Sequence, residues 1–204
     1  MSKFMLPKFD YSFKFTLLGR YGVGKTSLID RYVEDTFNEE TPYRNGRDYK
    51  LKIIEIENKL IKLQLWEPEP CCRRYEHIPF SFEIRGAHCL IFIFDLTDNE
   101  TFTFIQNIIN KYKHIDEKMI NQVCKILVGN KCDKSGKCVN QKDVRDLCNK
   151  NNMAFFEISA KSDINVQEIF EFITKQVLDN VNKNSVYTKG LLLNNNRQKE
   201  KHYC

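Results

Sequence analysis

The 204-residue sequence contains no apolar run of membrane length. Its longest, CLIFIF at 89–94, is far short of the roughly 20 residues that a spanning helix needs. It reads instead as a strand covered on both faces. The opening MSKFMLPKFD holds no continuous apolar stretch, so no signal peptide is expected. None of the eight cysteines, at 71, 72, 89, 124, 132, 138, 148 and 204, form a CxxC pair. Without a secretory start they are expected as reduced thiols of a cytosolic protein rather than as a disulfide scaffold or a zinc site. There is no internal repeat. A net charge of +5 is too mild to indicate a nucleic-acid partner. What is present is a globular composition, 42% apolar and 12% aromatic, long enough for one domain with a sizeable core.

Hydrophobic periodicity divides the chain into alternating strands and helices. FKFTLLG (13–19), CLIFIFD (89–95), CKILVGN (124–130) and MAFFEIS (153–159) read as strands. YKLKIIEIENKLIKLQLW (49–66) reads as two strands joined through Glu57-Asn58-Lys59, a hairpin. Ile105, Ile108, Ile109 and Tyr112 share one helical face. Val144, Leu147 and Cys148 mark a short helix with Asn140 as its cap. Val166, Ile169, Phe170, Ile173 and Val177 stripe a last helix. The expected fold is α/β, a six-stranded, mostly parallel sheet with one antiparallel edge strand and helices on both faces. Residues 1–12 form a short extension, 13–182 the domain and 183–204 a flexible polar tail.

GRYGVGKT supplies GxxxxGKT at Gly19, Gly24, Lys25 and Thr26. It follows a predicted strand and opens a predicted helix, the context that a phosphate-binding loop requires. Glycines let backbone amides curl around a phosphate, and the helix N-terminus adds partial positive charge. Gly22, Val23 and Ser27 complete the cradle. Lys25 is placed to reach the β- and γ-phosphates, and the Thr26 hydroxyl to ligate Mg²⁺.

Two further motifs fall at strand ends, where open α/β sheets hold ligands. GNKCD carries Asn130, Lys131 and Asp133, and SAK is Ser159, Ala160 and Lys161. NKxD and SAK following GxxxxGKT resemble the Ras-superfamily GTPases over roughly residues 13–182. RYVEDTF, KLQLW, RGAH and FDLTDNETF are similar to Rab sequences within it. EIRGAH keeps RGA but not the two aromatics that precede it in the Rab pattern. The resemblance implies a P-loop G domain that binds GTP and GDP with Mg²⁺. It implies that Asp133 accepts from guanine N1–H and the exocyclic amine, that Lys131 packs over the ring, that Asn130 braces the loop and that the Ala160 amide meets O6. Phe37 stands where the family places an aromatic against the base. A site built on such polar pairs rejects the wrong base by about 10⁴-fold or more.

Against the same pattern, the stretch after Trp66 departs. The family reads DxxGQ there, and this chain reads Glu67-Pro68-Glu69-Pro70-Cys71, with no glycine or glutamine from 67 to 85. Glu67 replaces an Asp that holds Mg²⁺ through water. Pro70 has no amide to give the γ-phosphate. Cys71 replaces the Gln that orients the attacking water. Eighteen residues beyond Thr26 stands Arg44, where the family has a Thr that binds Mg²⁺ and γ-phosphate. Tyr21 fills a loop position that the family keeps small. These five changes lead to the expectation of weakly held Mg²⁺, very slow or absent hydrolysis and weak discrimination between GDP and GTP.

The tail is basic and ends in KHYC. Cys204 is a lipidation candidate, though neither a CaaX box nor the double-cysteine end of Rabs. The expected protein is a cytoplasmic monomer, peripheral on membranes through this tail, with effectors or regulators of vesicle traffic as partners. Two other readings stand beside it. One is a working GTPase switch in which Arg44 or Arg47 replaces the lost groups, and the other is an interaction scaffold that holds no nucleotide. His77 and His88 lack a neighbouring nucleophile, so packing or exposure is their expected role. Cys71-Cys72 is read as two loop thiols.

Overall fold

A computed structural model describes residues 9–39, 48–68, 85–115 and 123–199, with the backbone alone for residues 48, 114–115 and 184–199. Arg44, Pro70, Cys71 and Cys204 lie outside the described residues. The elements in chain order are β1 (Tyr11–Leu18), α1 (Lys25–Glu34), β2 (Asp48–Ile56), β3 (Lys59–Glu67), β4 (Cys89–Asp95), α2 (Asn99–Ile115), β5 (Cys124–Asn130), α3 (Gln141–Asn151), β6 (Ala154–Glu157) and α4 (Val166–Lys199). They build a six-stranded sheet in the order β2-β3-β1-β4-β5-β6. Every pairing is parallel except β2 with β3. The expected sheet, with one antiparallel edge, is the observed one.

The hairpin turns on Glu57 and Asn58, whose φ values are 52° and 59°. Two consecutive left-handed residues make the tight turn whose twist matches its flanking strands, and Lys59 already belongs to β3. β1 begins at Tyr11, two residues before the expected start.

The continuous apolar reading of β4 has a direct cause. Cys89, Ile91 and Ile93 enter one core, with Leu28, Ile29 and Tyr32 of α1 and Ile169, Phe170 and Ile173 of α4. Leu90, Phe92 and Phe94 enter the other, with Ile105, Ile108 and Ile109 of α2 and Val144 and Leu147 of α3. Successive side chains of a strand point to opposite faces, so a strand covered by helices on both sides needs no polar residue along its length. Tyr32 stacks on Phe170 with ring centroids 3.8 Å apart, tying α1 to α4.

Helix starts follow local chemistry. Asn140 caps α3 by accepting from the Lys142 N–H at 2.8 Å, as its position suggested. The Asp98 carboxylate accepts from the Glu100 N–H at 2.9 Å, at the start of α2. The last helix departs from the sequence reading. Among the residues whose burial is described, the last buried ones of this helix are Val177 and Leu178, and the backbone stays helical to Lys199 where a flexible tail was expected from residue 183. Extending a formed helix costs far less than nucleating one, and residues 183–199 contain no proline to stop it.

His88 is a packing residue. Its Nδ1 accepts from the Lys14 N–H at 3.0 Å, and its ring lies 5.2 Å from that of Phe13. Only the neutral ring can accept there. Burial, then the Lys14 charge, hold its pKa below the ordinary 6.5. The folded chain therefore binds this proton less readily than the unfolded one, and stability is lost as pH falls through and below that ordinary value. Thermal unfolding followed by circular dichroism should show a melting temperature that falls between pH 7.5 and pH 5. In His88→Asn, which keeps an acceptor without the titration, that fall should be smaller.

Candidate nucleotide site

β1 has β3 on one side and β4 on the other, and the segment after it, residues 19–24, turns into α1 at the carboxyl end of the sheet. Gly24 caps α1 with φ 94°, a left-handed conformation that favours glycine. A β-carbon there would lie 2.4 Å from Asn130 Nδ2, and one on Gly19 would lie 2.3 Å from the Ile93 carbonyl oxygen. Both glycines are thus required by close approach, one to a side chain and one to a neighbouring strand. Lys25, only 3% exposed, donates from Nζ to the carbonyls of Gly19 at 3.0 Å and Arg20 at 3.1 Å. The loop curls around its own lysine.

Asn130, the last residue of β5, is 2% exposed. Its Nδ2 donates to the Val23 carbonyl at 2.8 Å, and its Oδ1 accepts from the Ala160 N–H at 3.2 Å. One carboxamide thus links the phosphate loop and the SAK segment by two hydrogen bonds. Lys131 adopts φ 65° and turns the chain out of β5. Its Nζ donates to the Gly22 carbonyl at 2.8 Å and pairs with Asp95 at 2.7 Å. Burial raises the Asp95 carboxyl, but the Lys131 ammonium and the N–H and O–H of Thr97 outweigh it and hold its pKa below the ordinary value.

The second base motif is closed by an exchange of backbone hydrogen bonds between Ser159 and Ile164, at 3.1 and 3.0 Å. Ser159 Oγ donates to Asp133 Oδ1 at 2.6 Å and accepts from the Ser162 N–H at 2.9 Å. This ties the Asp133 carboxylate to Ser159, the residue before Ala160. Arg31 of α1 donates to the carbonyls of Ala160 at 3.0 Å and Lys161 at 3.3 Å. Lys161 itself pairs with Glu39, which brings the segment of half-exposed Phe37 alongside this loop. Ser27, half-exposed, follows Thr26 in the first turn of α1.

At the carboxyl end of β3, Glu67 accepts from the Thr26 hydroxyl at 2.7 Å and lies 3.7 Å from Lys25 Nζ. Thr26 and Glu67 form a pair of hard oxygen donors of the type that suits Mg²⁺. The glycine cradle, the buried lysine and this oxygen pair fit a nucleoside phosphate with its cation. Tyr21, by contrast, stands 55% exposed on the loop.

Two residues that organise the site, Asp95 and Arg31, were not singled out from the sequence, and the direct contact of Glu67 with Thr26 and Lys25 was not anticipated. Asp95 had a legible signal, a carboxylate ending an otherwise apolar strand. Arg31 had none for its role here, because beside its local pair with Asp35 the carbonyls it holds are 129 and 130 residues away.

Comparison with known proteins agrees with this geometry. The Ras family model matches residues 14–179. The Ras-related protein Rab-13 of Rattus norvegicus is 39% identical over 175 residues, 85% of this chain and 84% of the relative. The GTP-binding protein YPT1 of Saccharomyces cerevisiae is 34% identical over 183 residues, 89% of this chain and 86% of the relative. The Ras-related protein Rab-1 of Theileria parva is 34% identical over 177 residues, 86% and 79% of the two chains. With the phosphate loop, NKxD and SAK clasped together by Asn130 on this sheet, the chain belongs to the Ras family as a Rab-like small GTPase.

Proposed function

We propose that this chain is a guanine-nucleotide-binding protein of vesicle traffic that hydrolyses GTP very slowly or not at all and holds Mg²⁺ weakly. The observation that carries the nucleotide reading is the double hydrogen bond of Asn130 to Val23 and Ala160. It joins the phosphate loop to both base motifs, an arrangement that a scaffold without nucleotide has no need to keep. Lys25 would meet the phosphates, Thr26 the cation, and Asp133, Lys131 and the Ala160 amide the base. The place in vesicle traffic, with effectors or regulators as partners, rests on likeness to Rab-13 and YPT1. Association with a membrane surface through the basic tail, with or without a lipid on Cys204, belongs to the same reading. Among the described residues no helix is long and apolar enough to cross a membrane.

The reading of slow hydrolysis rests on Arg44, Glu67, Pro70 and Cys71, whose residue types differ from those of the family pattern, and on Tyr21, whose bulk would crowd the position of the attacking water. A proline offers the γ-phosphate no N–H, and a thiol is a poor hydrogen-bonding group for orienting water.

Guanine specificity should reside in Asp133. Two hydrogen bonds to a charged group contribute about 1.5–3 kcal/mol each. Asp133→Ala should therefore weaken GDP binding by about 10²–10⁴-fold in a fluorescence titration and remove the preference over ADP. Equal affinity of the unaltered chain for ADP and GDP would sink the reading. Single-turnover phosphate release from GTP-loaded protein should be much slower than from rat Rab-13 under the same conditions. It should rise when Tyr21→Gly is combined with Glu67→Asp, Pro68→Thr, Glu69→Ala, Pro70→Gly, Cys71→Gln and Cys72→Glu.

Ligands shift a conformational equilibrium only by their differential affinity for its states. With the γ-phosphate contacts missing, hydrogen exchange across residues 38–50 and 67–85 should be alike with GDP and with a non-hydrolysable GTP analogue. Strong extra protection with the analogue would show a switch rebuilt by other residues, Arg44 among them.

A further inference from the structure

We infer that Arg31 is a positioning residue for recognition of the purine 6-position, because its guanidinium fixes the peptide units of Ala160 and Lys161 that would face O6. The inference deepens the nucleotide-binding reading above and rests on it. Arg31 lies in the last turn of α1, and its side chain is only 16% exposed. All three of its nitrogens are used. Nε donates to the Ala160 carbonyl at 3.0 Å and Nη2 to the Lys161 carbonyl at 3.3 Å. Nη1 donates to the Asp35 carbonyl at 3.2 Å and to its carboxylate at 2.8 Å. A planar fork of fixed geometry thus ties the end of α1 to two successive carbonyls of the SAK loop.

Ala160 is therefore held on both sides. Its N–H donates to Asn130 Oδ1 at 3.2 Å, and its carbonyl accepts from Arg31. The Ala160 carbonyl and the Lys161 N–H belong to one planar peptide unit, so fixing the carbonyl also fixes the direction of that N–H. The other half of the base site has its own support. Asp133, which would read N1–H and the 2-amine, is held by the Ser159 hydroxyl at 2.6 Å, and Ser159 by its backbone exchange with Ile164. Loss of Arg31 should therefore free the donors at the 6-position and leave the Asp133 side in place. A lysine would keep the charge, but its compact ammonium cannot reproduce the fork.

The test compares the unaltered full-length chain with Arg31→Gln and Arg31→Lys. Three nucleotides are titrated by calorimetry. They are GDP, inosine diphosphate, which keeps O6 and lacks the 2-amine, and 6-thioguanosine diphosphate, whose sulfur is a weak acceptor. In both variants the affinities for GDP and inosine diphosphate should fall about tenfold, the worth of one hydrogen bond, with that for the 6-thio compound within about threefold. The preference for GDP over the 6-thio compound then shrinks, and the preference for GDP over inosine diphosphate stays. Equal losses for all three nucleotides would mark a merely structural residue and overturn the inference, as would no loss. Full rescue by Arg31→Lys would overturn the role of the fork. A second readout needs no nucleotide. Hydrogen exchange of the amides of residues 160–162 in the nucleotide-free chain should be faster in both variants, and unchanged exchange overturns the positioning. An unaltered chain that takes up none of the three nucleotides refutes the nucleotide-binding reading instead, and the exchange comparison still decides whether Arg31 positions the loop.

Discussion

The site depends on the carboxamide of Asn130. It is buried, and its two ends face groups of opposite need. A carbonyl at Val23 requires a donor, and an N–H at Ala160 requires an acceptor. An aspartate would lose the donor, and an aliphatic residue would lose both and leave two buried backbone groups unsatisfied, at about 1–3 kcal/mol each. Through this one side chain, segments more than a hundred residues apart in sequence share a common position. The absence of a β-carbon at Gly24 is part of the same constraint, since the Asn130 amide occupies that space.

The central strands β4 and β5 make that constraint possible by placing a polar residue at the carboxyl end of an apolar run. β4 is apolar until its last residue and β5 is free of polar side chains from Ile126 to Gly129, and their last residues, Asp95 and Asn130, lie opposite each other in register. β3 likewise ends in Glu67. The polar ends share one edge of the sheet, where α1 begins. Burying the strand bodies in two cores fixes where these ends lie, and the pairs Asp95–Lys131 and Glu67–Lys25 then neutralise charges that the edge brings together. In open α/β sheets the carboxyl ends of the strands are where ligands bind.

Placed on the Ras family, the chain shows an uneven pattern. The groups that would read the base and hold the inner phosphates are in place and mutually braced. On the proposed reading, the positions that would sense a third phosphate carry residues of different chemistry. Glu67 belongs to both sets. It keeps a carboxylate at the strand end, and its extra methylene lets that carboxylate engage Thr26 and Lys25 directly.

Much of this was legible without coordinates. Alternation and apolar runs gave the strands, because a strand buried on both faces admits few polar residues. The cap at Asn140 and the hairpin turn were readable because their hydrogen bonds are local. The GxxxxGKT, NKxD and SAK motifs were readable because glycine geometry and ligand chemistry restrict residue types at fixed spacing. Tertiary structure alone decided which side chains meet. That Arg31 holds the Ala160 loop, that Asp95 pairs with Lys131, and that Glu67 reaches Lys25 depend on strand order and register. A continuous helix from Val166 to Lys199 was likewise invisible to a search for apolar periodicity. Sequence determines local conformation and chemistry, whereas contacts across the sheet edge follow from how the strands pack, and no local pattern encodes that distance.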